Sequence, residues 1–224
     1  MRNIVRTDER NGSQSIGMKV ISTEIMEKYP VKTVVCLGYF DGVHIGHQAL
    51  IRKAQQIARQ EELEMALHTF DMSPFQFLHP EMKQLILTDF DEKKEILSQM
   101  GCELMFLSHF DEKMCKMPGK QFFEEVLLHK LNAAALVVGD DHRFGYKGDT
   151  DAAALSKLCT QYGIKLSVIE KVCLPDGRIV SSTAIRDAIK AGDSESVRTM
   201  LGMEPGSTMI SRCLEAAGEV GNQP

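Results

Sequence analysis

The chain has 224 residues, 43% hydrophobic and 25% charged, an ordinary mix for a globular protein that buries a core as one large domain or two small ones. Its net charge of -5 and pI near 5.8 argue against a nucleic-acid binder with a broad basic face. Nothing approaches the roughly 20 apolar residues of a membrane span, and the charged opening segment 1–10 lacks a secretory core, so a cytoplasmic protein with no nucleic-acid or membrane partner is expected.

Residues 1–17 are polar and aperiodic, with a turn signal at Asn11-Gly12-Ser13, and read as a flexible extension. The folded domain is expected over 18–202, with 203–224 a weakly patterned tail holding a short strand at 208–211. An opening strand is expected at 18–21, and further strands at 33–37, 65–69, 104–107, 135–138 and 166–169. Between them lie helical patterns near 47–60, 89–101, 119–131 and 150–163. Gly101 closes the second as a C-cap, and Phe122, Phe123, Val126, Leu127 and Leu131 form a stripe on the third. This alternation predicts an α/β fold, a parallel sheet with helices on both faces. Ligands of such sheets bind beyond the carboxyl ends of the strands, where strand order reverses.

Three polar clusters fall at such ends, 38–47 after the first core strand, Thr69-Phe70-Asp71 after the second and 139–143 after the fourth, and a further polar segment lies at 180–187. In 38–47, glycines at 38, 42 and 46 punctuate the turn between a strand and a helix, and His44 and His47 stand three apart. Glycines let backbone approach a nucleotide's phosphates, helix-start amides point at them, and imidazoles donate to them. A metal role for the pair would need a third ligand, and Asp41 is the only carboxylate nearby. In 180–187, Ser181, Ser182 and Thr183 read as a helix start, and Arg186 adds a guanidinium, making a second anion clamp. In 138–149, Asp140, Asp141, His142 and Arg143 crowd one glycine-flanked loop. The third cluster reads equally as a solvated charged loop, apart from its position at a strand end.

The six cysteines form no C-x-x-C pair; Cys36, Cys102, Cys159 and Cys173 lie in or beside apolar runs, and the set reads as buried or partly buried thiols of a reducing compartment. The segment 113–117, Lys-Met-Cys-Lys-Met, together with His44-Ile45-Gly46-His47, is similar to the two signatures of class I aminoacyl-tRNA synthetases. It falls in mid-alternation of a short acidic chain, and we read it as coincidence.

Four motifs in order resemble a known family. Gly38-Tyr39-Phe40-Asp41-Gly42-Val43-His44-Ile45-Gly46-His47, Thr69-Phe70-Asp71, Val138-Gly139-Asp140-Asp141-His142-Arg143-Phe144-Gly145 and Val180-Ser181-Ser182-Thr183-Ala184-Ile185-Arg186 resemble the FMN adenylyltransferase (FAD synthetase) domain of the bacterial bifunctional riboflavin kinase/FMN adenylyltransferases. The resemblance covers roughly 18–202 and implies a Rossmann-like nucleotidylyltransferase fold. It implies transfer of AMP from ATP to FMN, giving FAD and pyrophosphate, with magnesium held by ATP oxygens and water and no protein metal site. On the matched positions, His44 and His47 would hold the ATP phosphates as charge builds. Ser181, Ser182, Thr183 and Arg186 would grip the leaving pyrophosphate, with His44, His47, Ser182 and Arg186 catalytic. Gly38, Tyr39, Phe40, Asp41 and Gly46 would line the ATP pocket, and Thr69, Asp71, Asp141 and Arg143 the flavin side.

The sequence departs from the family pattern at Tyr39 (usually Asn), at Met72-Ser73-Pro74 (usually Pro-His-Pro) and at His142 (usually Phe). The 22 residues after Gly202 do not resemble the family's kinase barrel, so the chain is expected to be either a single-function adenylyltransferase or a truncated one, without kinase activity, and a separate riboflavin kinase is one candidate source of FMN. Two alternatives stay open: a nucleotidylyltransferase with another phosphate-bearing acceptor, and a catalytically idle nucleotide-binding module.

Overall fold

A computed structural model describes residues 17–206 and 209. The extension read at 1–17 lies outside them but for Gly17. So does the strand read at 208–211, except Met209, which is helical and buried.

Six strands form one parallel sheet: β1 (Lys19–Ser22), β2 (Thr33–Leu37), β3 (Glu64–Phe70), β4 (Leu104–Ser108), β5 (Ala133–Gly139) and β6 (Lys165–Ile169). All six sit within a residue or two of their expected places, because β-branched and apolar runs between polar turns leave little ambiguity. Their spatial order is β1-β4-β3-β2-β5-β6. The chain leaves β2 toward β3 and β4 on one side, then returns to build β5 and β6 on the other. The order therefore reverses between β2 and β5, and the crevice for a ligand opens past their carboxyl ends.

The helices are α1 (Ile45–Glu61), α2 (Pro74–Leu78), α3 (Phe90–Gln99), α4 (Glu112–Lys116), α5 (Gly119–Gln121), α6 (Ala152–Tyr162), α7 (Ser182–Lys190) and α8 (Ser194–Leu201). They cover both faces. Val35, Leu37, Leu104, Phe106, Leu136 and Val138 bury one face against Phe122, Phe123, Leu127 and Leu155. Val34, Cys36, Leu67, Met105 and Val137 bury the other against Leu50, Ile51, Ala54, Ile57 and Leu97. Strand residues of β2 alternate between the two layers, as a period of two requires. A third cluster joins α7 and α8 through Ile185, Ile189, Val197, Met200 and Leu201 to Leu87.

Two local features differ from the sequence reading. The stripe at 119–131 is α-helical only at α5 and continues as a π-helix over Phe122–Lys130, where the Leu131 N–H donates to the Val126 carbonyl five residues back. Cys173 is exposed, whereas Cys36, Cys102 and Cys159 are buried thiols as expected. Gly101 takes a φ of +79° just past α3, the left-handed stop that its position after Met100 calls for.

Candidate active site

The turn after β2 is wound tightly. Gly42 has a φ of +82°, and Phe40 and Val43 share the left-handed region at +56° and +42°. A Cβ at Gly38 would stand 2.9 Å from the buried Phe40 ring, and one at Gly42 2.9 Å from Leu87, so glycine is required at both.

Asp41 fastens this turn to the rest of the molecule. Only 3% exposed, it accepts through Oδ1 from the amides of Leu87 and Thr88 at 3.0 and 3.1 Å. Its Oδ2 accepts from Arg186 Nη2 in a buried ion pair. Arg186 also donates through Nε to the Leu85 carbonyl at 2.6 Å, and Ser182 Oγ donates to the Asp41 carbonyl at 2.8 Å. The first and last motifs are therefore welded through the segment 85–88. The sequence reading assigned Asp41 and Phe40 to the pocket lining; both are buried behind it. It gave Arg186 and Ser182 to phosphates, but the guanidinium is paired with Asp41, and Ser182's single hydroxyl proton is committed to a carbonyl.

His44 caps α1, its Nδ1 accepting from the His47 N–H at 3.3 Å, which leaves the proton of the neutral ring on Nε2. The two imidazoles stack with centres 3.7 Å apart. Burial pushes His44 down to about 4, and burial together with the neighbouring His44 and Lys93 holds His47 well below the ordinary range. Both rings are neutral at pH 7 in the absence of an anion. His47 Nδ1 is buried without a partner among the described residues, an orphan that an incoming oxygen ligand would satisfy.

Two clefts meet at the crevice. The first is polar, about 410 Å³, and is lined by His44, Gly46, His47, Asp141, Lys171 and the α7 start at 181–183. Ser181 caps α7 by accepting from the Ala184 N–H at 3.1 Å, so the free amides of its first turn face this cleft beside the exposed Thr183. The second is largely apolar, about 620 Å³, with Tyr39, His68, Phe70, Phe110, Phe122 and Phe144 in its walls. The loops after β2 and β5 each contribute to both clefts, Gly38 and Tyr39 to the apolar one and His44, Gly46 and His47 to the polar one. Likewise Gly139 to Asp141 line the polar cleft and His142 to Gly148 the apolar one.

This divides the expected residues differently from the sequence reading. Gly38 and Tyr39, given to ATP, line the apolar cavity. Asp141, given to the flavin side, lies in the polar cleft and pairs with Lys171 at 3.3 Å. Arg143 lines the apolar cavity as expected. Thr69 is buried beneath it, donating to the Tyr39 carbonyl at 3.3 Å. Asp71 braces the cavity's edge, accepting from the Phe110 amide at 3.0 Å and bonding the His109 ring at 2.6 Å. Sequence reasoning missed His68, Phe110, Phe122 and Lys171. The synthetase-like segment at 113–117 lies largely in α4 and supplies Met114, Cys115 and Met117 to the apolar wall.

A family model described as FAD synthetase matches residues 26–184, a span that contains the turn, both cleft walls and the start of α7. The chain belongs to the FAD synthetase family. Its similarity to curated relatives covers the same region. A bifunctional riboflavin kinase/FMN adenylyltransferase of Listeria monocytogenes is 34% identical over 77% of this chain and 54% of its own length. Another of the same description from Bacillus subtilis is 34% identical over 80% of this chain and 56% of its own. The chain thus spans about half the length of these curated relatives. The crystal structure of a macrolide-efflux protein from Streptococcus pneumoniae superposes at a TM-score of 0.72 with 29% identity, covering 83% of this chain and 60% of that one. Among the described residues no helix of this FAD synthetase family member is long and apolar enough to cross a membrane.

Proposed function

We propose that the chain is an FMN adenylyltransferase, joining the AMP moiety of ATP to FMN with release of pyrophosphate. The observation that carries this reading is the pair of clefts. A polar, imidazole- and amide-lined cleft suits a triphosphate, an aromatic cavity suits an isoalloxazine ring, and one glycine turn borders both.

An oxygen of the FMN phosphate attacks the α-phosphorus of ATP, and the bond from that phosphorus to the bridging oxygen of pyrophosphate breaks. No covalent enzyme intermediate is required; alignment and charge stabilisation carry the reaction. His44 and His47 donate to the phosphates, and Gly46 keeps the backbone out of their way. Thr183 and the amides at the start of α7 take the β- and γ-phosphates. Arg186 lends charge from beneath, holding the turn and α7 in register through Asp41. Arg143 and Tyr39 border the flavin. Among the described residues no group of three or more His, Cys, Asp or Glu is arranged to hold a metal. A magnesium ion entering with ATP would be held by phosphate oxygens and water and would offset their charge. The free thiols among the described residues accord with a reducing, cytoplasmic setting.

FMN fluorescence tests the two-cleft reading without turnover. Binding is expected to quench the flavin against the aromatic walls, saturably, and a non-hydrolysable ATP analogue should leave the FMN affinity unchanged or raise it. Displacement of FMN by the analogue would mean a single shared site and count against the reading.

A further inference from the structure

Lys93 sits on α3, and no step described above uses it. It is 4% exposed, and lysine side chains are almost never buried to that degree without a counter-charge. Its ammonium donates to the Tyr39 carbonyl at 2.8 Å and lies 4.0 Å from the centre of the Tyr39 ring. Asp41 is near enough to favour the charged form of Lys93. That carboxylate is already committed, however, to Arg186 and to the amides of Leu87 and Thr88. Among the described residues, the two buried cations Lys93 and Arg186 therefore share the Asp41 carboxylate.

The groups facing Lys93 do not restore the balance. Tyr39, in the turn after β2, has its phenol pushed up by burial and by Asp41, so it is neutral. His47, on α1, is held neutral by burial and by the nearby cation. Arg186 reaches the group from α7 through Asp41, and Asp187 acts on Arg186 only from the exposed side of that helix. Lys93, Arg186 and Asp41 together carry one excess positive charge. It lies behind the wall between the clefts, since Tyr39 lines one cleft and His47 the other.

We infer that Lys93 is a positioning residue for the adenylyl transfer, its excess buried charge drawing the acceptor phosphate and the α-phosphate of ATP together where the two clefts meet. The inference rests on the functional reading above. Two phosphates that repel each other must approach to bond distance, and a cation shielded from water and salt acts on both with little loss to screening.

Burial lowers the ammonium to about 8. The group is charged below that pH and loses its charge as pH rises through it, while a bound anion raises it again. The kcat/KM for ATP, which reports the free enzyme, should fall about tenfold per pH unit above about pH 8, whereas kcat holds to higher pH. Lys93→Met removes the charge and keeps the volume; it should lower kcat/KM by about 10- to 100-fold and abolish that limb. Lys93→Arg keeps the charge, should stay within about fivefold of the parent, and should move the limb beyond about pH 10. A Met variant within about threefold of the parent, a limb persisting in it, or an Arg variant as impaired as the Met one would overturn the inference.

If the Met variant does not fold, or if no FAD forms at all, the unaltered protein still decides. Calorimetry of ATP binding at about pH 8.5, in buffers of different ionisation enthalpy, should show proton uptake by the protein. The ATP phosphates, whose last ionisation lies at about 6, are already deprotonated there. Uptake without FAD formation keeps Lys93 and rejects FMN as acceptor. FAD formation without uptake rejects Lys93 alone.

Discussion

Asp41→Ala is expected to destabilise the fold by about 3–5 kcal/mol, the range for stripping one partner from a buried ion pair. The loss falls at the high end because two cations, Arg186 and Lys93, keep their burial and lose the carboxylate they share. The Leu87 and Thr88 amides also lose their acceptor. Arg186→Met should cost less, since Lys93 remains to balance Asp41. Chemical denaturation of the three proteins checks the order. An Arg186 variant less stable than the Asp41 variant would contradict the shared-carboxylate arrangement. The turn would also lose its tether to α7, so nucleotide affinity should fall in step with stability.

His47→Ala is expected to lower kcat by about 10²–10³-fold, the effect of removing one aimed donor from a water-poor site. FMN affinity, read from flavin quenching, should change by less than about threefold, because His47 borders the polar cleft and the cavity proposed for FMN's ring is the other. The asymmetry follows from the orphaned Nδ1: an unpaired buried nitrogen is costly in the empty protein and repaid when a phosphate oxygen arrives. Equal loss of turnover and of FMN binding would remove His47 from the phosphate role. Neutral at pH 7, the ring donates through hydrogen bonds until the substrate's charge raises its proton affinity.

Much of the fold was legible. The six strands announced themselves because buried parallel strands are continuous apolar runs, and Val34–Leu37 or Leu136–Val138 have no helical alternative of comparable pattern. The short helices at 74–78 and 112–116 were not legible, since five residues hold barely one turn of periodicity. The π-helical ladder at 122–130 was hidden because an apolar stripe with α spacing serves either winding.

At the site, glycines and histidines in 38–47 marked phosphate chemistry from sequence, because turn glycines and paired imidazoles have few bland uses together. What stayed hidden was partnership at long range. Asp41 meets Arg186 across 145 residues, and nothing local tells a pocket carboxylate from a buried counter-ion. The aromatic cavity was hidden for the same reason. Tyr39, His68, Phe110, Phe122 and Phe144 come from five separate segments, and each reads alone as core. Nothing in the charged run Asp91-Glu92-Lys93-Lys94-Glu95 marks Lys93 as the buried lysine.

The most direct test of the central claim is product analysis after incubating the purified protein with ATP, magnesium and FMN. The account predicts FAD and pyrophosphate formed in equal amounts, and none when phosphopantetheine or a nicotinamide nucleotide replaces FMN. Absence of FAD under conditions where ATP and FMN both bind, or a dinucleotide product from another acceptor alone, would contradict it.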